Sequence, residues 1–237
     1  MAPKSIATLP LLLLGVLLLV QCQTPSSPGP DAIIAAASRR GLVDVRSVVP
    51  GVVVDLRYAT PGNVAGRPLY PGDMPCLIER RTGQQLAQAA RELASHGYRI
   101  KIWDAYRPPQ SHLALWKAVP NGNYVSAPSV TLSMHCAGAA VDMTLVDANG
   151  RELKMPTEFD HFSPKAAADY TGGDPEVAAN VAVLQQAMRR AGFSTMKTEW
   201  WHFWNPSATP HVAIPSDALG IVLPLHVRTI PNHRASR

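Results

Sequence analysis

The sequence predicts a single α+β domain, and three observations carry that prediction. A helical pattern over residues 82–97 runs straight into an apolar strand at 98–103. A second apolar strand, 138–146, carries one acidic residue, Asp142. A long helix from Asp174-Pro175 to Gly192 leads into a third strand and then a Trp/His cluster. The chain has 237 residues, 46% of them hydrophobic, and no internal repeat, which is enough for one core of ordinary size.

Taken in order, residues 1–22 read as a signal peptide: Lys4 gives a short basic start, and an apolar run follows from Leu9 to Val20. A run of about a dozen residues is too short to span a bilayer, which needs about 20. The expectation is an exported protein of the periplasm or cell envelope. Leu19-Val20-Gln21-Cys22 resembles a lipobox, with Gln21 where a small residue is usual, so Cys22 is a candidate lipidation site. Lipid anchoring is preferred here over simple secretion. Residues 23–43, opening with a Pro/Ser/Gly stretch, read as a flexible linker.

The formal net charge of +5 falls to +4 on loss of Lys4, and the excess is spread with no Lys/Arg block or interleaved aromatics. This gives no case for nucleic-acid binding.

Residues 48–58 read as a mostly buried strand through Val52, Val53, Val54 and Leu56, ended by the turn Thr60-Pro61-Gly62-Asn63. Thr82-Gly83-Gln84-Gln85 has a capping-box pattern, and Leu86, Ala89, Ala90, Leu93 and Ala94 continue at helical spacing to Gly97. The strand at 98–103 delivers Asp104 and Arg107, and Pro108-Pro109 suit the first turn of a following helix. Asp147-Ala148-Asn149-Gly150 reads as a hairpin turn and 155–162 as a loop. Asp174 caps a helix with Pro175 at its first position and Val177, Val181, Leu184 and Met188 on its core face. Residues 193–197 form the strand that enters the Trp/His cluster, and 206–237 form a Pro-rich C-terminal extension.

Chemistry concentrates in Ser133-Met134-His135-Cys136-Ala137-Gly138-Ala139-Ala140-Val141-Asp142 and in Glu199-Trp200-Trp201-His202. Two imidazoles and a carboxylate, His135, His202 and Asp142, suit Zn²⁺ and leave a fourth position for water. Glu199, three residues from His202, is placed to take a proton from that water. On a flat strand Glu199 and His202 would face opposite sides, so this segment must bend. Taken singly, each residue has an ordinary structural reading, and only the set points to a metal hydrolase. The set would also accept Co²⁺ or Ni²⁺. Cys76 and Cys136, the two cysteines outside the leader, are a candidate disulfide in an exported protein, against the alternative of two unpaired buried thiols.

Ser133-x-His135-x-x-Gly138-x-Ala140-Val141-Asp142 with Glu199-Trp200-Trp201-His202-Phe203 resembles the zinc D-alanyl-D-alanine dipeptidases, the VanX-type branch of the M15 metallopeptidases. The stretches 55–60, 66–70, Trp103-Asp104-Ala105-Tyr106-Arg107-Pro108 and Phe159-Asp160 extend the likeness in order across residues 44–205. The resemblance implies a small, mostly antiparallel central sheet flanked by helices, with one zinc ion per chain at the sheet. It implies Arg107 as the group that stabilises the transition state, Asp160 as the partner of the dipeptide's free amine, and Ser133 as a further substrate contact. The implied reaction is release of two D-alanines from D-Ala-D-Ala in cell-wall peptide turnover. Two alternatives stay open: a D,D-carboxypeptidase on stem peptides, against which the Trp200-Trp201 pair argues, and a non-catalytic zinc-binding wall-recognition module, against which Glu199 and Arg107 argue. Oligomeric state is not legible.

Overall fold

A computed structural model describes residues 28–128, 132–208 and 212–230. The leader and Cys22 lie outside the described residues. The first element is helix α1 (Pro30–Ser38), with Pro at its first position and Ile33 and Ala37, one turn apart, buried. Strand β1 (Leu42–Asp44) follows. The linker expected over 23–43 is therefore corrected from residue 30 onward. Four residues late in the chain, Leu219, Ile221, Leu223 and Val227, share a buried cluster with Ile33 and Ala37, and no local pattern foretells that pairing.

The strand expected over 48–58 is reduced to β2 (Val53–Val54), flanked by 3₁₀ turns at Val45–Ser47 and Arg57–Ala59. Gly51, at φ 71°, turns the chain just before β2, and among the described residues β2 is an edge strand paired with Lys101 and Ile102. Strand β3 (Leu77–Glu79) pairs antiparallel with β1.

Helix α2 (Arg80–Ser95) starts two residues before the expected Thr82 cap. Its cap is Glu79, whose carboxylate accepts from the N–H groups of Arg81 and Thr82 at 2.9 and 2.8 Å and from the Thr82 hydroxyl at 2.8 Å. A carboxylate satisfies several free N–H groups and complements the helix dipole, so it outcompetes the hydroxyl. Gly97 ends the turn at φ 82°, as expected.

Strand β4 (Arg99–Asp104) then leads to α3 (Pro109–Ala118), which opens on the Pro108-Pro109 pair. Strand β5 (Ala140–Val146) is buried along its whole length, so the alternation of its side chains divides two packed faces. Val141 and Met143 enter the core on one face, leaving Asp142 on the other. Asp147–Gly150 makes the expected turn, with the Gly150 N–H donating to the Asp147 carbonyl at 3.0 Å.

Helix α4 (Pro175–Arg190) has the expected Asp174 cap, donated to by the N–H groups of Glu176 and Val177, and buries Val177, Val181, Leu184 and Met188. Strand β6 is only Ser194–Thr195, shorter than the run expected over 193–197, and β7 is His202–Trp204. The last element among the described residues is α5 (Leu225–Arg228).

Among the described residues, the central sheet has five strands in the order β2-β4-β5-β7-β6, parallel between β2 and β4 and antiparallel elsewhere. The expected α+β class with a mostly antiparallel sheet is what folds. One core cluster joins Leu86 and Leu93 of α2 and Leu184 and Met188 of α4 to Ile100, Ile102, Met143 and Leu145. Burying each such side chain contributes about 1.5–3 kcal/mol, so these helices hold the sheet that frames the site.

A candidate metal centre and its cavity

Sheet register builds the site. β4 and β5 pair Asp104 with Asp142, and β5 and β7 pair Asp142 with His202. Asp104, Asp142 and His202 thus form a row across three strands. His135 arrives from a 3₁₀ turn, Met134–Ala137, capped by the Ser133 hydroxyl accepting from the His135 N–H at 3.3 Å. Gly138 ends this turn at φ 69°, where an added Cβ would stand 2.6 Å from Leu42 and 2.9 Å from the Glu79 nitrogen. Only glycine fits, and it swings the chain from His135 into β5.

The donor atoms converge. His202 Nδ1 lies 2.8 Å from Asp142 Oδ1 and 3.2 Å from His135 Nε2, and His135 Nε2 lies 3.3 Å from Asp142 Oδ1. Ligand atoms about 2.0–2.2 Å from a tetrahedral ion stand roughly 3.3–3.6 Å apart, so an ion of that size fits with small outward shifts. His135 Nδ1 donates to the Ala105 carbonyl at 2.7 Å, which keeps the proton off Nε2 and leaves that nitrogen free to coordinate. Burial alone would raise the Asp142 carboxyl, but His135 and then His202 pull it well below the usual carboxylate range. Burial pushes the His202 imidazole down, with Asp142 opposing. Asp142 and His202 are therefore in their coordinating protonation states near neutrality.

Glu199 sits in a turn ahead of β7, which meets the demand that this segment bend: the His202 N–H donates back to the Glu199 carbonyl at 3.4 Å. Its carboxylate is buried, and Oε1 has no hydrogen-bond partner among the described residues. Burial, with Asp142 and Asp160 nearby, holds this carboxyl well above the usual range, while Arg107 works the other way. A buried carboxylate without a partner is costly unless a ligand or reaction uses it.

Arg107 is held by Asp104, which accepts from its Nε at 2.9 Å and its Nη2 at 2.7 Å, with Asp142 Oδ2 at 3.4 Å from Nη2. Its guanidinium stacks 5.0 Å from the Tyr58 ring centre. Asp160, in left-handed backbone at φ 59°, accepts from the Tyr58 hydroxyl at 3.0 Å and the Val64 N–H at 3.2 Å. Burial, and then Asp142, push its carboxyl up to about 7.

All seven predicted metal-site, catalytic and substrate residues, His135, Asp142, His202, Glu199, Arg107, Asp160 and Ser133, line one cavity of about 280 Å³. Cys76 and Cys136 are not bridged; both are free, buried thiols. Burial raises the Cys136 thiol to about 12 and raises that of Cys76 as well, so neither is an available thiolate. Sequence reasoning assigned no role to Tyr58, Asp104 or His112, although Asp104 anchors Arg107 and the other two line the cavity. The signal for Asp104 was its place three residues before Arg107 at the end of a strand.

The profile of the family described as D-ala-D-ala dipeptidase, Peptidase_M15, matches residues 38–218, extending beyond the 44–205 span expected from the motifs. A D-alanyl-D-alanine dipeptidase of Escherichia coli K12 is 33% identical over 170 residues, covering 72% of this chain and 87% of that protein. Dipeptidases of the same name from Enterococcus faecium and Enterococcus faecalis V583 are each 27% identical, over 69% of this chain and 90% of their own length. The family profile thus spans the elements that supply every group in the cavity, and the chain belongs to the Peptidase_M15 D-ala-D-ala dipeptidase family.

Proposed function

We propose that this chain is a zinc metallopeptidase that hydrolyses the dipeptide D-alanyl-D-alanine to two D-alanines. The observation that carries the reading is the convergence of His135, Asp142 and His202 beside a buried Glu199, whose Oε1 has no partner among the described residues, and an anchored Arg107. When bound, Zn²⁺ supplies Lewis acidity and lowers the pKa of a water in the cavity. Glu199 takes the proton from the attacking water and hands it to the leaving amine. Arg107, fixed by Asp104, keeps N–H groups for the negative charge that develops on the scissile carbonyl oxygen. Asp160 receives the free ammonium end of the dipeptide.

The test is D-alanine release from D-Ala-D-Ala by residues 23–237, with metal measured on the same sample. About one zinc per chain and loss of release on chelation, restored by Zn²⁺, are expected. A protein that carries no metal and releases no D-alanine would overturn the reading. A stem pentapeptide cleaved faster than the free dipeptide would favour the carboxypeptidase alternative. The proposed place of action is the cell envelope, a reading supported by the leader pattern of residues 1–22 and the lipobox-like Cys22. There the enzyme would turn over wall peptides rather than cytoplasmic precursor.

Asp160→Asn separates binding from stability, and asparagine tolerates the left-handed backbone. Loss of the charged contact should raise KM about 10–100-fold with a smaller change in kcat. Wild-type affinity for the ammonium end should grow as pH rises through about 7, where Asp160 ionises. Because the folded value lies above the unfolded one, the native state binds more protons between about pH 4 and 7, so wild-type stability falls as pH rises there. The metal-free Asn variant should therefore melt higher than metal-free wild type at pH 8 and level with it near pH 4, which thermal melts would check.

A further inference from the structure

Residues 119–128 form a strap beside the cavity, contributing Tyr124, Val125 and Ser126 to its wall. Three elements pin it. The Thr198 hydroxyl donates to the Asn123 carbonyl at 2.9 Å, Tyr124 stacks on Phe162 with ring centres 4.9 Å apart, and His112 Nε2 lies 2.9 Å from the Ser126 carbonyl oxygen. His112, on α3, is fully buried (0% exposed). A carbonyl only accepts, so Nε2 carries the proton and Nδ1 is left as a buried acceptor, with no partner among the described residues. Burial, and then the nearby Arg107, push this imidazole down to about 3, so it is neutral at working pH. An imidazole with one nitrogen unsatisfied is a poor choice for a core position that an aliphatic side chain could fill. What it provides here is the N–H that holds the strap.

We propose that His112 is a positioning residue: through Ser126 it holds the strap 119–128 as the roof of the cavity, and that roof limits the substrate to a dipeptide. The proposal rests on the dipeptidase reading above, and Thr198 is the second pin. An unpinned roof lets the cavity admit a longer chain and holds the dipeptide less firmly, while Glu199, Arg107 and the three proposed ligands stay in place.

The test compares His112→Leu, His112→Gln and Thr198→Val with wild type on D-Ala-D-Ala and on tri-D-alanine, with hydrogen exchange of the strap amides on the same proteins. Glutamine can place an N–H near the position of Nε2, whereas leucine fills the space without one. For His112→Leu, KM for the dipeptide should rise about tenfold, the loss of one hydrogen bond, with kcat within a few-fold of wild type. Its preference for dipeptide over tripeptide should drop about tenfold or more, and its strap amides should exchange faster. His112→Gln should stay near wild type, and Thr198→Val should move the same way as the leucine variant by a smaller factor. Unchanged exchange in His112→Leu, or a glutamine variant as impaired as leucine, would overturn the pinning. Faster exchange with unchanged dipeptide preference would overturn the length limit. Exchange needs no activity, so its outcome is separate from failure of the dipeptidase reading, which would appear as a wild type that releases no D-alanine.

Discussion

Glu199→Gln lowers kcat for D-alanyl-D-alanine by about 10²–10⁴-fold, the usual worth of a positioned proton-transfer group, while the protein keeps its metal. Glutamine matches glutamate in shape, and Glu199 makes no side-chain hydrogen bond among the described residues that the change would break, its Oε1 being buried and without a partner. His135, Asp142 and His202 are untouched, and their mutual spacing of 2.8 to 3.3 Å does not depend on Glu199. What is lost is the ability to accept a proton. Measuring kcat and zinc content on one preparation checks this, and a variant within a few-fold of wild type would remove Glu199 from the reaction.

Arg107→Ala has the next largest effect, and it acts twice. Loss of the group proposed to face the developing oxyanion should cost about 10²–10³-fold in kcat. Asp104, fully buried, loses the cation bound at 2.7 and 2.9 Å, and stranding a buried charge in this way costs about 3–5 kcal/mol of stability. Arg107→Lys separates the two. A lysine keeps the charge near Asp104 but cannot donate to Asp104 and a substrate oxygen through one planar fork. The lysine variant should recover much of the urea midpoint while kcat stays depressed by about tenfold or more. Recovery of both together would make Arg107 a structural residue only.

These roles were legible to different degrees before any coordinates. The Asp174-Pro175 cap, the stripe of α4, the Gly97 stop and the Pro-led start of α3 could be read directly, because caps and helical periods are written within a few residues. The proposed metal donors His135, Asp142 and His202 and the proposed base Glu199 drew attention for a chemical reason: few residue types coordinate a metal or accept a proton, and these clustered in two short stretches. The D-alanyl-D-alanine chemistry came from family likeness.

Tertiary structure decided the rest. The row Asp104, Asp142, His202 exists because three strands pair in one register, and pairings 38 and 60 residues apart leave no local mark. Helix α1, expected as linker, is ordered by apolar residues nearly two hundred positions away. Glu79 displaced Thr82 as the cap of α2 because the carboxylate accepts several N–H groups at once. Cys76 and Cys136 stayed thiols in places that sequence spacing cannot specify. The neutral, strap-holding state of His112 follows from burial beside Arg107 and Ser126. By itself the sequence determined which groups can do the chemistry and which short segments form helices and strands. Only folding decided which of those groups meet, because burial, register and long-range contact set their distances and charges.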